Sequence, residues 1–113
     1  MVARRLFIVW SHPLFRESVH RLLDDPAVEV VGAASEYVTA LPELASLKPE
    51  IIIVEETDDN AVTHIEALEI LRACSWGPRV IRLSLQDNEL WVYYHERRSV
   101  GSAEDFLRLV RDA

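Results

Sequence analysis

Short apolar runs alternate along the chain with segments in which apolar residues recur at helical spacing. The apolar runs, one segment of alternating pattern and one segment rich in Trp, Tyr and Val predict five strands near residues 6–10, 28–32, 51–54, 80–85 and 90–95. Four apolar stripes predict helices: Phe15, Val19, Leu22 and Leu23; Leu41, Leu44, Ala45 and Leu47; Ala61, Ile65, Leu68 and Leu71; and Ala103, Phe106, Leu107 and Val110. The order β-α-β-α-β-α-β-β-α predicts an α/β fold with a mostly parallel sheet and helices on both of its faces.

Residues that favour helix starts precede three of the predicted helices. Ser11 is expected to cap the first helix, with Pro13 in its first turn. Thr39 is expected to cap the second helix, with Pro42 at its third position. Residues 102–105 read Ser-Ala-Glu-Asp, which predicts a capping box at the last helix.

The connection between the fourth and fifth strands is too short for a parallel crossover. Only about four residues, around 86–89, separate the two strands, whereas a crossover needs about a dozen. We therefore predict an antiparallel hairpin with no helix between these strands.

Composition sets limits on the class of protein. The 113 residues suit one domain, spanning 1–113, and 50% are hydrophobic while 27% are charged, as in ordinary globular proteins. No apolar run is long enough to span a membrane, so we expect a cytoplasmic protein with no membrane contact. A net charge of −7 argues against autonomous nucleic-acid binding, which depends on neutralising phosphates.

Little in the sequence indicates catalytic chemistry. A single cysteine, Cys74, excludes an intrachain disulfide and is expected to be a buried thiol. The histidines, which are His12, His20, His64 and His95, lack the spacing of a metal site, and no glycine-rich phosphate loop is present. We therefore expect no enzyme activity, no cofactor and no metal.

Several short segments resemble the receiver domains of bacterial response regulators. The likeness is to the subgroup that precedes LuxR-type helix-turn-helix domains (NarL/FixJ-like), and it lies in residues 8–17, 28–33, 47–54 and 79–84 and in the last helix. The resemblance implies a flavodoxin-like (CheY-like) three-layer sandwich with a five-stranded sheet of order 2-1-3-4-5. The fourth helix of such receivers has no counterpart in this chain.

The resemblance also implies a phosphoacceptor site at which this chain departs from the family. A working receiver has an acidic pair for Mg²⁺ after the first strand, an Asp acceptor after the third, a hydroxyl after the fourth and a Lys after the fifth. The residues at those positions here are Trp10 and Ser11, Glu55, Ser84, which keeps the hydroxyl, and Arg98 or Ser99 in place of the Lys. Because phosphoryl transfer depends on positioning and metal electrostatics, we predict a degenerate site in a phosphorylation-independent pseudo-receiver.

Three interpretations of Glu55 are open. Its side chain can imitate a permanently charged acceptor, end the strand in solvent, or pair with an arginine, for which Arg82 and Arg98 are the candidates.

The aromatic residues of the fifth strand predict a partner surface. Without a fourth helix, Trp91, Tyr93 and Tyr94 are expected to leave an open aromatic surface, of the kind that is enriched in interfaces. The alternative is that these rings pack under the last helix and against Trp76. We expect protein partners and self-association, with a homodimer as the simplest closed assembly.

The resemblance thus predicts a module for protein–protein interaction in two-component signal transduction or transcription regulation. One alternative is a small-ligand or anion sensor that uses a crevice at the carboxyl end of the sheet, lined by Trp10, Ser11, Glu55 and Ser84. A second alternative is a genuine phosphoacceptor with unusual residues.

Overall fold

The computed structural model describes residues 3–57, 60–95 and 100–113. The elements in chain order are β1 (Arg4–Val9), α1 (Pro13–Leu22), β2 (Val28–Ala34), α2 (Tyr37–Leu47), β3 (Ile51–Glu55), α3 (Asn60–Ala73), β4 (Arg79–Ser84), β5 (Glu89–Tyr93) and α4 (Ala103–Asp112).

The five strands form one sheet in the order β2-β1-β3-β4-β5. The pairs β1–β2, β1–β3 and β3–β4 are parallel, whereas β4 and β5 are antiparallel. A turn over residues 85–88 joins β4 to β5, and Asn88 adopts the left-handed conformation (φ 54°) that tight turns use. The predicted flavodoxin-like order, the antiparallel hairpin and the lack of a helix between these two strands are confirmed.

Apolar side chains cover both faces of the sheet. On one face, Phe7 and Ile52 pack with α2 and α3 through residues that include Leu44 and Ile70. On the other face, α1 supplies Phe15 and Val19, which pack on the buried side chains Leu6, Ile8 and Ile53. Central strands that are buried on both faces explain the uninterrupted apolar runs in the sequence.

Two predicted helix starts are wrong. The N-cap of α1 is His12, whose side chain makes no cap hydrogen bond to the helix. The N-cap of α2 is Glu36, so Thr39 lies inside the first turn, where its hydroxyl donates to the Glu36 carbonyl at 2.9 Å. Pro42 is consequently at the sixth position of α2. The misplacement arose because a Thr that bonds back to the preceding turn and a Thr that caps a helix look alike in sequence.

The buried face of α3 also differs from the predicted stripe. Leu71 is buried as predicted, but Ile65 is exposed, and the other buried residues are Thr63, Ala67, Ile70 and, just past the helix end, Cys74. These four residues have helical spacing of their own, but the stripe begins with a polar residue. The Thr63 hydroxyl is paired with that of Thr57 at 2.9 Å, which lets a polar residue lie on the buried face.

The last helix has the predicted N-cap, but its side chains pack on no other described element of the chain. The Asp105 amide donates to the Ser102 hydroxyl at 3.2 Å, which confirms the N-cap. No residue of α4 is buried, so the rings of β5 do not pack under this helix. Across the described ranges, none of the helices is long and apolar enough to cross a membrane.

Candidate functional site

The carboxyl ends of β3 and β4 bring two of the predicted site residues to one edge of the sheet. Glu55 is the last residue of β3, and Ser84 is the last residue of β4. Both are buried, and Glu55 is only 7% exposed. Its burial excludes the interpretation in which the carboxylate ends the strand in solvent.

The Glu55 carboxylate is held by the segment that leads into α1. Oε1 accepts hydrogen bonds from the backbone amides of Ser11 (2.8 Å) and His12 (2.9 Å). Oε2 lies 2.5 Å from Nδ1 of His12. Both carboxylate oxygens are thus engaged by residues 43 or 44 positions away in the chain.

Helix electrostatics favour this arrangement. The start of a helix carries partial positive charge and unpaired amides, both of which stabilise a nearby carboxylate. Glu55 therefore holds the two residues that lead into α1, a helix whose own N-cap residue makes no side-chain cap bond.

Ser84 is tied to the hairpin turn. Its hydroxyl accepts from the Asp87 amide at 3.2 Å and lies 3.3 Å from the Asp87 carboxylate, to which it donates. The hydroxyl predicted at the phosphoryl-contacting position is thus engaged in shaping the turn.

The predicted site residues do not share a single crevice. Glu55 lies between a crevice of about 340 Å³, which includes Ser11 and Glu66, and one of about 400 Å³, which includes Ser84. Desolvation in its surroundings raises the pKa of Glu66 above its ordinary value. Trp10 lines a separate depression beside α1. The last predicted site residue, Arg98, lies outside the described residues.

Arg82, a candidate partner of Glu55, lies beside the carboxylate of Glu56 instead. Its Nε lies 3.6 Å from Oε1 of Glu56, the residue after Glu55, and both side chains are buried. The Arg82 guanidinium also stacks on the Trp91 ring, 4.0 Å from the ring centroid. The ion pair and the stacking together hold β4 and β5 against the end of β3.

The three aromatic residues of β5 and its end have distinct environments. Tyr93 packs against the core beneath α3, and its hydroxyl is 2.7 Å from Nδ1 of His64. Trp91 is partly exposed beside Arg82. Tyr94 is well exposed, with the Arg79 guanidinium 5.9 Å from its ring. The open part of the predicted surface therefore consists of Trp91 and Tyr94.

Sequence reasoning missed the role of His12. Its imidazole meets Glu55 only because β1 and β3 are adjacent and end at the same edge of the sheet. The sequence feature that could have indicated this contact is the position of His12. A polar residue that directly follows the first strand of a parallel sheet lies beside the carboxyl ends of the neighbouring strands.

The residues at this edge do not fit the Mg²⁺ that receivers use. Trp10 and Ser11 offer an indole and a hydroxyl in place of two carboxylates, and the Glu55 oxygens face the start of α1. In the part of the chain that the structure covers, no group of three or more His, Cys, Asp or Glu side chains could hold a metal ion.

Comparisons with known proteins agree with the fold. No protein-family model matches the chain. The DNA-binding transcriptional activator EvgA of Escherichia coli is 27% identical over 84 residues, which are 74% of this chain and 41% of EvgA; EvgA of Shigella flexneri matches equally. The chain thus spans about two-fifths of the length of the curated relatives it matches.

Solved structures show the same architecture. The signal receiver domain of NarL from Mycobacterium tuberculosis superposes with a TM-score of 0.54 at 20% identity, covering 98% of this chain and 78% of that one. A mutant of the anti-anti-sigma factor PhyR from Bartonella quintana gives a TM-score of 0.60 at 21% identity over 74% of this chain and 34% of its own. PhyR in complex with the anti-sigma factor NepR gives 0.59 at 17% identity, over 98% of this chain and 47% of that one.

The sheet order and the sequence similarity lead to one class of protein. The sequence similarity and the sheet order support a response-regulator receiver domain of the LuxR/NarL-like kind. In this chain the last two strands of the sheet form a hairpin. The proteins to which this chain is similar include EvgA in sequence, and the NarL receiver domain and PhyR in fold.

Proposed function

We propose that this chain is a receiver-like signalling module of bacterial two-component signal transduction or transcription regulation. It works in the cytoplasm through protein–protein contacts and without phosphorylation. The observation that carries the proposal is the engagement of both Glu55 carboxylate oxygens by Ser11 and His12.

A phosphoacceptor needs a carboxylate oxygen that can attack phosphorus and a cation that neutralises the charge built up on the phosphoryl group. The Glu55 oxygens are hydrogen-bonded to the start of α1, and Ser84 is bound to Asp87. Phosphorylation would break the hydrogen bonds of Glu55 with α1 and gain no metal ligand in exchange. The buried Glu55 charge instead stabilises one fixed arrangement of this edge.

Signalling by contact fits the known relatives. PhyR has been crystallised in complex with NepR, which is a protein partner. EvgA is named for DNA binding, but this chain spans only 41% of it and has a net charge of −7. We therefore propose a protein partner, and no enzyme activity or autonomous nucleic-acid binding, for this module.

The proposed partner surface lies at β5, the edge strand of the sheet. Trp91 is exposed on one side of β5, Leu90 and Val92 are about half exposed on the other side, and Tyr94 is exposed just past the strand end. An edge strand with exposed aromatic and aliphatic side chains is a surface that a second chain covers well. A homodimer is the assembly that we propose.

The anion-sensor alternative has less support. The crevice beside Ser11 contains the carboxylates Glu36, Glu55 and Glu66, whose charges repel an anion.

Acetyl phosphate and beryllium fluoride with Mg²⁺ test phosphorylation independence. We expect no mass increase of the intact protein and no change in Trp fluorescence, in wild type and in a Glu55→Gln control alike. A mass increase in wild type that is absent from Glu55→Gln would establish phosphorylation at Glu55 and refute the proposal.

Light scattering at tens of micromolar protein tests self-association. We expect a dimer mass for wild type and a monomer mass for Tyr94→Glu. Val38→Glu, which places the same charge at an exposed apolar site on α2, is the matched control and is expected to stay dimeric. A monomeric wild type would refute the homodimer.

A further inference from the structure

The helix α4 is formed and capped, yet its apolar side faces no other part of the chain that the structure describes. Phe106, Leu107 and Val110 keep 48–57% of their surface exposed. With Ala103 they follow the i, i+3, i+4, i+7 spacing of a helix that packs against a core. A ten-residue helix is marginal in water by itself, so α4 needs a surface to dock on.

A sheet face of matching character is open on the same chain. The antiparallel register pairs Ile81 with Val92 and Leu83 with Leu90, and directly paired residues lie on the same side of a sheet. Ile81 and Leu83 pack on the cluster beneath α1, so all four aliphatic side chains lie on the α1 side of the sheet. Leu90 and Val92 are about half exposed.

The two surfaces match in size. A ten-residue helix is about 15 Å long, and a five-residue strand is about 17 Å long. The helix α4 can therefore cover the β4–β5 pair along its full length. Trp91 and Tyr93 lie on the opposite side of β5, since side chains alternate along a strand, so this aliphatic face is distinct from the one that carries Trp91.

We propose that α4 of one copy docks on the β4–β5 face of a second copy, and that the exchange is reciprocal. Within one chain the helix is exposed along its length and the sheet face is open, so neither surface covers the other. A twofold exchange covers both surfaces on both copies and closes the assembly. The inference rests on the proposed homodimer and specifies a contact that holds it together.

Cysteine crosslinking between two single variants tests the exchange. A Val92→Cys chain is mixed with a Phe106→Cys chain under mild oxidation, and the disulfide-linked heterodimer is measured by mass. The native Cys74 is buried and does not compete. The matched control replaces Phe106→Cys with Arg108→Cys, which lies on the polar side of α4. Docking raises the effective thiol concentration, so we expect crosslinking at least about tenfold faster than in the control.

Two results would overturn the exchange. One is a double variant, Val92→Cys with Phe106→Cys, that forms its disulfide within a monomer, because the helix then docks on its own chain. The other is crosslinking no faster than in the Arg108→Cys control. If wild type is still dimeric by light scattering in either case, only the exchange fails; if it is monomeric, the proposed homodimer fails with it.

A second measurement avoids engineered thiols. Phe106→Glu is expected to convert the wild-type dimer to monomer, while Arg108→Glu, on the polar side of the same helix, leaves the dimer mass unchanged. A dimeric Phe106→Glu variant would refute the exchange.

Discussion

The Nδ1 atom of His12 lies 2.5 Å from the Glu55 carboxylate, so the residue predicted at the acceptor position is bound to the segment that starts the first helix. The same carboxylate also accepts from the backbone amide of His12. This contact links the carboxyl ends of β1 and β3, which are adjacent in the sheet.

Substitution of Glu55 is expected to cost stability according to how many of its hydrogen bonds the new side chain can still make. Glu55→Ala leaves two amides without their acceptor and should lower the free energy of unfolding by about 2–3 kcal/mol, whereas Glu55→Gln keeps an acceptor oxygen and should cost about 1 kcal/mol. Urea denaturation measures both. Glu50→Ala, which removes the exposed ion pair with Arg4, is the control and should cost less than about 1 kcal/mol. Equal losses of stability for Glu55→Ala and Glu50→Ala would contradict a structural role for Glu55.

Much of the fold follows from local pattern, because strand and helix periodicity are imposed by which side chains reach the core. The hairpin followed from chain length alone, since the residues between Leu85 and Glu89 cannot cross over the sheet. The contact between Glu55 and His12 joins residues 43 positions apart, and no local pattern encodes it.

The site was predictable only in part for a related reason. The resemblance predicted Glu55 in place of an Asp acceptor and Ser84 as a compatible hydroxyl, but it could not show which groups engage them. The partner of Arg82 depends on side-chain direction: Arg82 and Glu56 meet under Trp91, while Glu55 turns towards α1.

The buried pair of Arg82 and Glu56 predicts a non-additive pair of substitutions. Arg82→Met leaves the Glu56 charge buried without its cation and should lower the free energy of unfolding by about 3–5 kcal/mol. The double variant Arg82→Met/Glu56→Gln removes both charges and should recover a large part of that loss. A double-mutant cycle from urea unfolding measures the coupling, and additive losses would show that the two charges do not interact.

The thiol of Cys74 is expected to be inert in the folded protein. Burial raises the pKa of Cys74 from its ordinary value of 9.0 to about 11. At pH 8 an aromatic disulfide reagent should therefore label Cys74 only after unfolding in urea. Fast labelling of the native protein would contradict the burial of this residue.

The same pKa shift gives a pH dependence of stability. The unfolded thiol ionises near 9 and the folded thiol near 11, so the unfolded state loses its proton first as the pH rises. The contribution of Cys74 to stability is complete below pH 9 and is lost between about 9 and 11. Thermal unfolding of wild type and Cys74→Ala across this range measures the difference, which should shrink as the pH rises. A difference that stays constant would contradict the shift.

Gly32 lies where β2 passes close to the core, and this close approach predicts the cost of adding a methyl group. The register of β1 with β2 is irregular here, because Leu6 pairs with Val30 and Phe7 with Gly32. A Cβ at Gly32 would lie 2.8 Å from the Phe7 ring and 3.2 Å from Leu47.

Both of these neighbours belong to the packed core, so Gly32→Ala should lower the free energy of unfolding by about 1–3 kcal/mol. Gly101→Ala is the matched control, because the nearest atom to its Cβ is an Asp105 carboxylate oxygen at an ordinary 3.5 Å and no unusual backbone angle is required. Chemical denaturation should leave the midpoint of Gly101→Ala close to that of wild type. If the two variants lost the same stability, the cost would stem from the loss of glycine itself, and the close contact between Phe7 and β2 would not be its cause.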